Sequence, residues 1–190
     1  MVKIDKELKR AIIDMPEKEK DKLLLRLDAN DLHLLNQLSF KLLAGEGATQ
    51  ERKEEVKNYN YRRSAYYPAH YYSPGYLMME MRDCSGMINE YRSITKDKIG
   101  EIELQLDMLT SFLQPNMEKL LKAPSHKKVK FLPYVVKRAG KIIGMLEKLH
   151  EDYYLEFAKE LKLLGELIER LDPEFKIARA NQVDLQLLYK

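Results

Sequence analysis

TKDKIGEIELQLDMLTSFLQP, residues 95–115, decides the fold. Ile99, Ile102, Leu106, Leu109 and Leu113 recur at spacings of three, four, three and four. That is the period of one face of an α-helix, and it is narrow enough to form the seam of a bundle or coiled coil. Thr95 is placed to cap this helix and Pro115 to end it. Glu101, Glu103 and Asp107 fall off the stripe, so they are expected in solvent with no reason for raised pKa values.

Working outward, the same period recurs on both sides. SPGYLMMEMRDCSGMINEYRSI, residues 73–94, opens with Ser73 as N-cap and Pro74 at the first helical position, where the missing N–H costs nothing. Leu77, Met81, Cys84 and Ile88 then form a stripe, in a helix running to about Arg92. After a short helix over 117–125, residues 129–171 read as helical with a break. Leu149, Tyr153, Phe157, Leu161, Leu164, Ile168 and Leu171 keep the period. Asp172–Pro173 restarts a last helix carrying Phe175, Ala178, Leu185 and Leu188. No stretch alternates for long enough to be a strand.

The N-terminal residues read as three short helices. Asp5 is a cap for the first, with Leu8 and Ile12 four apart. Pro16 suits the first turn of the second. Asn30 or Asp31 caps the third, whose Leu35, Leu38 and Leu42 share a face, and Gly45 and Gly47 stop it. Residues 49–65 then form a charged helix with Thr49 as N-cap, expected to be solvated on most faces. The reading is therefore all-α. An antiparallel helical bundle occupies residues 76–190, with a small helical-hairpin unit at 1–48. A charged helix and an ordered Tyr/Pro-rich loop at 49–75 join them, and the whole also reads as one continuous domain.

Composition sets outer limits. The chain has 190 residues, enough to bury a core without staples, and its single cysteine, Cys84, excludes an intrachain disulfide. One thiol fits a reducing compartment. The first 15 residues alternate charged and apolar positions, unlike a secretory signal. The longest run without Asp, Glu, Lys or Arg is Ser64–Met79, too short and too polar to span a bilayer. A soluble, cytoplasmic protein is expected.

No complete catalytic set is legible. Glu147 and His150 have the Glu-x-x-His spacing of di-iron bundles, but no second copy exists, so a surface His–Glu pair is the default. Cys84 lies on an apolar stripe about three turns from its helix start, the position of a small hydrophobe rather than an activated nucleophile. Gly140-Lys-Ile-Ile-Gly144 reads as close helix packing. No catalytic residue, metal or cofactor is expected.

Two segments stand out instead. Between Glu118 and Glu147 there is no acid, yet there are eight basic residues: Lys119, Lys122, Lys127, Lys128, Lys130, Lys137, Arg138 and Lys141. This segment carries +8, which leaves −5 for the remainder of a chain whose net charge is +3. Residues 59–76 hold seven of the twelve tyrosines, beside Arg62 and Arg63. Tyr76 and at least two of Tyr66, Tyr67, Tyr71 and Tyr72 are expected inside, with phenol hydroxyls reaching the rim. The candidate partner-binding residues are Arg62, Arg63, Tyr71, Tyr72, Lys127, Lys128, Lys130, Tyr134, Lys137, Arg138 and Lys141. The leading expectation is a non-enzymatic interaction or scaffold protein with a protein partner or self-association, the 99–113 stripe being able to pair between chains. The alternative is a nucleic-acid-associated protein using 119–146 with Tyr and Arg from 59–76.

Overall fold

The computed structural model describes residues 4–189. Most of them are helical, with no strand among them, and the fold is an all-α helical bundle. The chain divides into two compact units, Met1–Gly45 and Glu46–Lys190.

The first unit holds α1 (Lys6–Asp14), α2 (Glu17–Asn30) and α3 (Leu32–Leu43). Its local signals act as their chemistry requires. The Asp5 carboxylate accepts from Glu7 N–H, and Asp31 accepts from both His33 and Leu34 N–H. No described side chain of these three helices is buried; Leu42, on the expected α3 stripe, is 71% exposed.

The second unit begins with α4 (Ala48–Tyr66). Its cap is not Thr49 but Gly47, whose left-handed φ of 90° suits a residue without a Cβ. Most positions of α4 are exposed or half-buried, and one stripe is covered. Val56, Asn60, Ser64 and, just past the helix, Tyr67 are buried at spacings of four, four and three. They seat α4 against α5 (Pro74–Thr95) and α6 (Lys98–Lys122). Arg52 pairs with Glu90 and Arg63 with Glu80, numbers rising on α4 as they fall on α5, so these two helices run in opposite directions. Ser85 touching Met108 and Tyr91 touching Asp97 set the same relation between α5 and α6.

α6 is the axis of this unit. It packs against α4, α5, α8 (Phe131–Leu146) and α10 (Ala158–Leu171). Thirteen of its 25 residues are buried, far more than one seam. Two expectations fail here. Thr95 does not cap α6: its hydroxyl donates back to the Tyr91 carbonyl at 2.9 Å and closes α5. Lys96, at φ 60°, reverses the chain, and Asp97 caps α6 by accepting from Ile99 and Gly100 N–H. Pro115 does not end α6. A proline in a helix interior costs about 3 kcal/mol. Phe112, Leu113, Met117 and Leu120 on its two sides are all buried, each worth about 1.5–3 kcal/mol. Packing outweighs the missing hydrogen bond, and the expected short helix over 117–125 is the last part of α6.

The rest closes the bundle. α7 (Ser125–Lys128) leads into α8, and α9 (Asp152–Glu156) precedes α10. Past α10, Asp172 caps α11 (Lys176–Ala180) by accepting from Lys176, Ile177 and Ala178 N–H at 3.1, 2.8 and 3.3 Å. Gln182, at φ 56°, breaks the expected last helix, and a 3-10 turn over Leu185–Tyr189 returns to α10. The 99–113 stripe is thereby consumed within the chain. Ile102, Leu106, Leu109 and Leu113 are at most 1% exposed, so none is free to pair with a second copy.

Candidate functional site

The basic segment is laid along α8 by helical spacing. Phe131, Val135, Val136, Ala139, Ile142, Ile143 and Leu146 face the core. Lys130, Tyr134, Lys137, Arg138 and Lys141 occupy the positions between them, so one helix face is basic by the same geometry that makes the other apolar. Lys130 and Lys137 are exposed and Arg138 half-buried; on α7, Lys127 is exposed and Lys128 half-buried.

Tyr134 organises the middle of this face. The Arg138 guanidinium lies 5.4 Å from its ring centre, and that of Arg82, on α5, lies 5.6 Å away. Both are within cation–π range. The Tyr134 hydroxyl is 3.1 Å from Ser85 Oγ, which tethers the ring to α5. Arg82 was not legible in the sequence as part of this face, because it reaches the basic segment across helices rather than along the chain.

Lys141 is the exception. Its Nζ donates to Glu101 Oε1 at 2.7 Å, and Arg92 Nε approaches the other oxygen at 3.3 Å. Glu101 is only 7% exposed, against the expectation of a solvent-facing carboxylate. α6 is covered on too many sides for all of its polar positions to reach water. Burial also raises the Asp107 pKa, with Lys57 opposing and Glu103 adding, where no shift was expected. Of the eight basic residues in 119–146, Lys141 alone has a carboxylate within 4.0 Å among the described residues.

The tyrosine stretch divides differently from the expectation. Tyr67 is 4% exposed because it continues the Val56–Asn60–Ser64 face, and Tyr71 is half-buried with Lys119 Nζ 5.6 Å from its ring centre. Lys119 also donates to the Pro68 carbonyl, tying the turn after α4 to the end of α6. Tyr66, Tyr72 and Tyr76 are 59%, 81% and 50% exposed, so Tyr76 is not inside and only Tyr67 is fully covered. Tyr76 sits one position before the core stripe that starts at Leu77, which turns it toward the rim of α4. Tyr72 packs edge-on against Tyr76 at 5.7 Å.

A cavity of about 500 Å³ opens among Arg62, Arg63, Tyr66, Tyr67, His70, Tyr76 and Glu80. Arg63 is held there by Glu80 at 2.8 Å and Asp83 at 3.6 Å, with its guanidinium 5.8 Å from the Tyr59 ring centre. Arg62 Nε donates to the Asn58 carbonyl of its own helix at 3.4 Å. Glu80 and Asp83 thus meet α4, while Arg82 and Ser85 meet α8. The two candidate sets, Arg62/Arg63 and Lys127–Lys141, are separated by the width of α5.

Glu147 and His150 lie beyond the end of α8, not on one helix face, and His150 Nδ1 contacts Asp152 at 3.1 Å rather than Glu147. Among the described residues no three His, Cys, Asp or Glu side chains are grouped to hold a metal ion, and no helix is long and apolar enough to cross a membrane. Cys84 is fully buried, and desolvation pushes its thiol up to about 12. No protein-family model, curated protein or solved structure matches the chain.

Proposed function

We propose that the protein is a non-enzymatic helical interaction module that docks an acidic protein surface on the α7–α8 face. One observation carries this reading: seven of the eight basic residues in 119–146 lack a carboxylate partner among the described residues. A solvated helix that merely balanced its own fold would place its lysines opposite acids, as Lys141 is placed opposite Glu101. Lys127, Lys128, Lys130, Lys137 and Arg138 instead present a field of one sign, which steers and orients an oppositely charged partner. The alternative, nucleic acid, would draw on aromatic rings for stacking. Tyr134, the aromatic at the centre of the face, already has its ring engaged by two guanidiniums and its hydroxyl by Ser85, which favours a protein partner.

The test is a titration with poly-glutamate and, in parallel, with single-stranded and duplex DNA, at about 50 and about 200 mM salt. Poly-glutamate should bind at low salt and weaken as salt rises. The triple substitution Lys127→Glu, Lys130→Glu, Lys137→Glu should abolish binding without changing the helical circular dichroism. Failure of poly-glutamate to bind, or binding that survives the triple substitution, overturns the reading. DNA binding tighter than poly-glutamate binding replaces it with the nucleic-acid alternative.

A further inference from the structure

The cavity at the end of α4 is built from three helical ladders. Arg62, Tyr66 and His70 follow one another at intervals of four residues. Arg63 and Tyr67 do the same beside them, and Tyr76 and Glu80 repeat the interval on α5. Residues four apart stack along one helix face, so each ladder makes a continuous wall. The Tyr66 and His70 rings lie parallel at 3.8 Å, and His70 Nδ1 is 3.0 Å from the Tyr66 carbonyl, which holds that wall rigid past the last turn of α4.

The polar groups in these walls are not all used. The Tyr67 hydroxyl and Arg63 Nε are buried and have no hydrogen-bond partner among the described residues. Tyr67 is more than nine-tenths buried, and its phenol is pushed up to about 12 by burial and by the neighbouring Glu80, so at neutral pH it is a donor. Among the described residues no carboxylate lies within 4.0 Å of the Arg62 guanidinium. Among the described residues Arg62 is therefore a lining cation without a carboxylate partner, and the one acid in the lining, Glu80, is occupied by Arg63. The rest of the lining is aromatic, from Tyr66, Tyr67, His70 and Tyr76, and about 500 Å³, in a cleft partly open to solvent, is room for a small organic molecule.

We propose that this cavity binds a small planar aromatic molecule bearing one anionic group, a carboxylate or a phosphate, with the anion on Arg62 and the ring against Tyr66 and Tyr76. A guanidinium presents a planar fork that matches either anion, and phenol faces stack on a flat ring. The site stands apart from the α7–α8 face and does not depend on the function proposed for it.

Isothermal titration of the full chain tests the assignment with four probes. Indole-3-acetate and adenosine 5′-monophosphate carry ring and anion, adenosine carries the ring alone, and inorganic phosphate the anion alone. At least one of the first two should bind saturably with a Kd below roughly 1 mM, and the last two at least about tenfold more weakly. A further pair that shares one ring, benzoate and phenyl phosphate, separates a carboxylate ligand from a phosphate ligand. Arg62→Ala should weaken binding about tenfold or more, the loss of a charge-assisted hydrogen bond. Tyr66→Leu should weaken it as well; both side chains are exposed, so neither change threatens the fold. Lys130→Ala with Lys137→Ala should leave it unchanged. Absence of saturable binding by both complete probes, or binding indifferent to Arg62→Ala, overturns the assignment. So does equal loss on changing Lys130 and Lys137, which moves the anion to the other face.

Discussion

Lys141 Nζ and Glu101 Oε1 meet at 2.7 Å, joining α8 to α6 at a carboxylate that is otherwise shut off from water. Arg92, from α5, approaches the same carboxylate, so one acid ties three helices together. Breaking a buried pair costs about 3–5 kcal/mol when the surviving charge is stranded. Here the Lys141 side chain is 41% exposed and that of Arg92 26%, so both rehydrate in part. Glu101→Ala should therefore destabilise by about 1–3 kcal/mol, read from urea unfolding. Glu101→Gln should cost less, because its amide oxygen still accepts one N–H.

Gln105 is fully buried on α6, and neither its Nε2 nor its Oε1 has a partner among the described residues. Leaving a buried amide unpaired costs about 1–3 kcal/mol. Methionine is unbranched, of similar length, and apolar. Gln105→Met should raise the urea midpoint with the slope unchanged. A lower midpoint would mean that the amide is satisfied in solution.

The two glycines of the 140–144 pair should respond with opposite signs. A Cβ on Gly140 would lie 2.9 Å from Val183 Cγ2 and 3.1 Å from its Cγ1, a branched side chain with little room to yield. A Cβ on Gly144 meets nothing within 4 Å. Gly144→Ala should stabilise by about 0.5–1 kcal/mol through helix propensity. Gly140→Ala should destabilise by about 1 kcal/mol or more, since overpacking exceeds that gain. Paired thermal melts decide it.

Asp107 supplies a pH dependence. Its folded pKa is raised above the unfolded value, chiefly by burial, so the folded state holds the proton more tightly. Its charge is then a penalty on the fold, fully present above the folded pKa and relieved as pH falls through it toward the unfolded pKa. Asp107→Asn should raise stability at neutral pH and remove this part of the slope at mildly acidic pH. Urea midpoints of the two proteins, followed from neutral to acidic pH, should converge. Curves that stay parallel would show that Asp107 is not desolvated.

Much of the architecture was legible because it is written in local spacing. The Leu77–Met81–Cys84–Ile88 stripe is buried as its period requires, and Ser73 Oγ accepts from Tyr76 N–H at 3.2 Å where Ser-Pro signals a helix start. Asp5, Asp31 and Asp172 cap helices for the same reason: a short carboxylate reaches N–H groups a few residues ahead, whatever the rest of the chain does. The candidate sites were legible only in part. Charge counting along the chain finds Lys127–Lys141, but Arg82 joins that face only across α5.

What the sequence by itself determined, then, is the helical class, the apolar faces of α5, α6 and α10, several helix caps and the basic run that α7 and α8 carry, all consequences of a 3.6-residue period, short-range hydrogen bonding and the order of charges along the chain. The tertiary structure alone decided the continuation of α6 past Pro115, the burial of Glu101, the exposure of Tyr76 and the cavity between Arg62 and Glu80. Each of these depends on which helix lies opposite. Burial of neighbouring side chains is worth several kcal/mol, enough to override a proline or to enclose a carboxylate. A choice of that size is made by contacts between residues far apart in the chain, and no window along the sequence contains both.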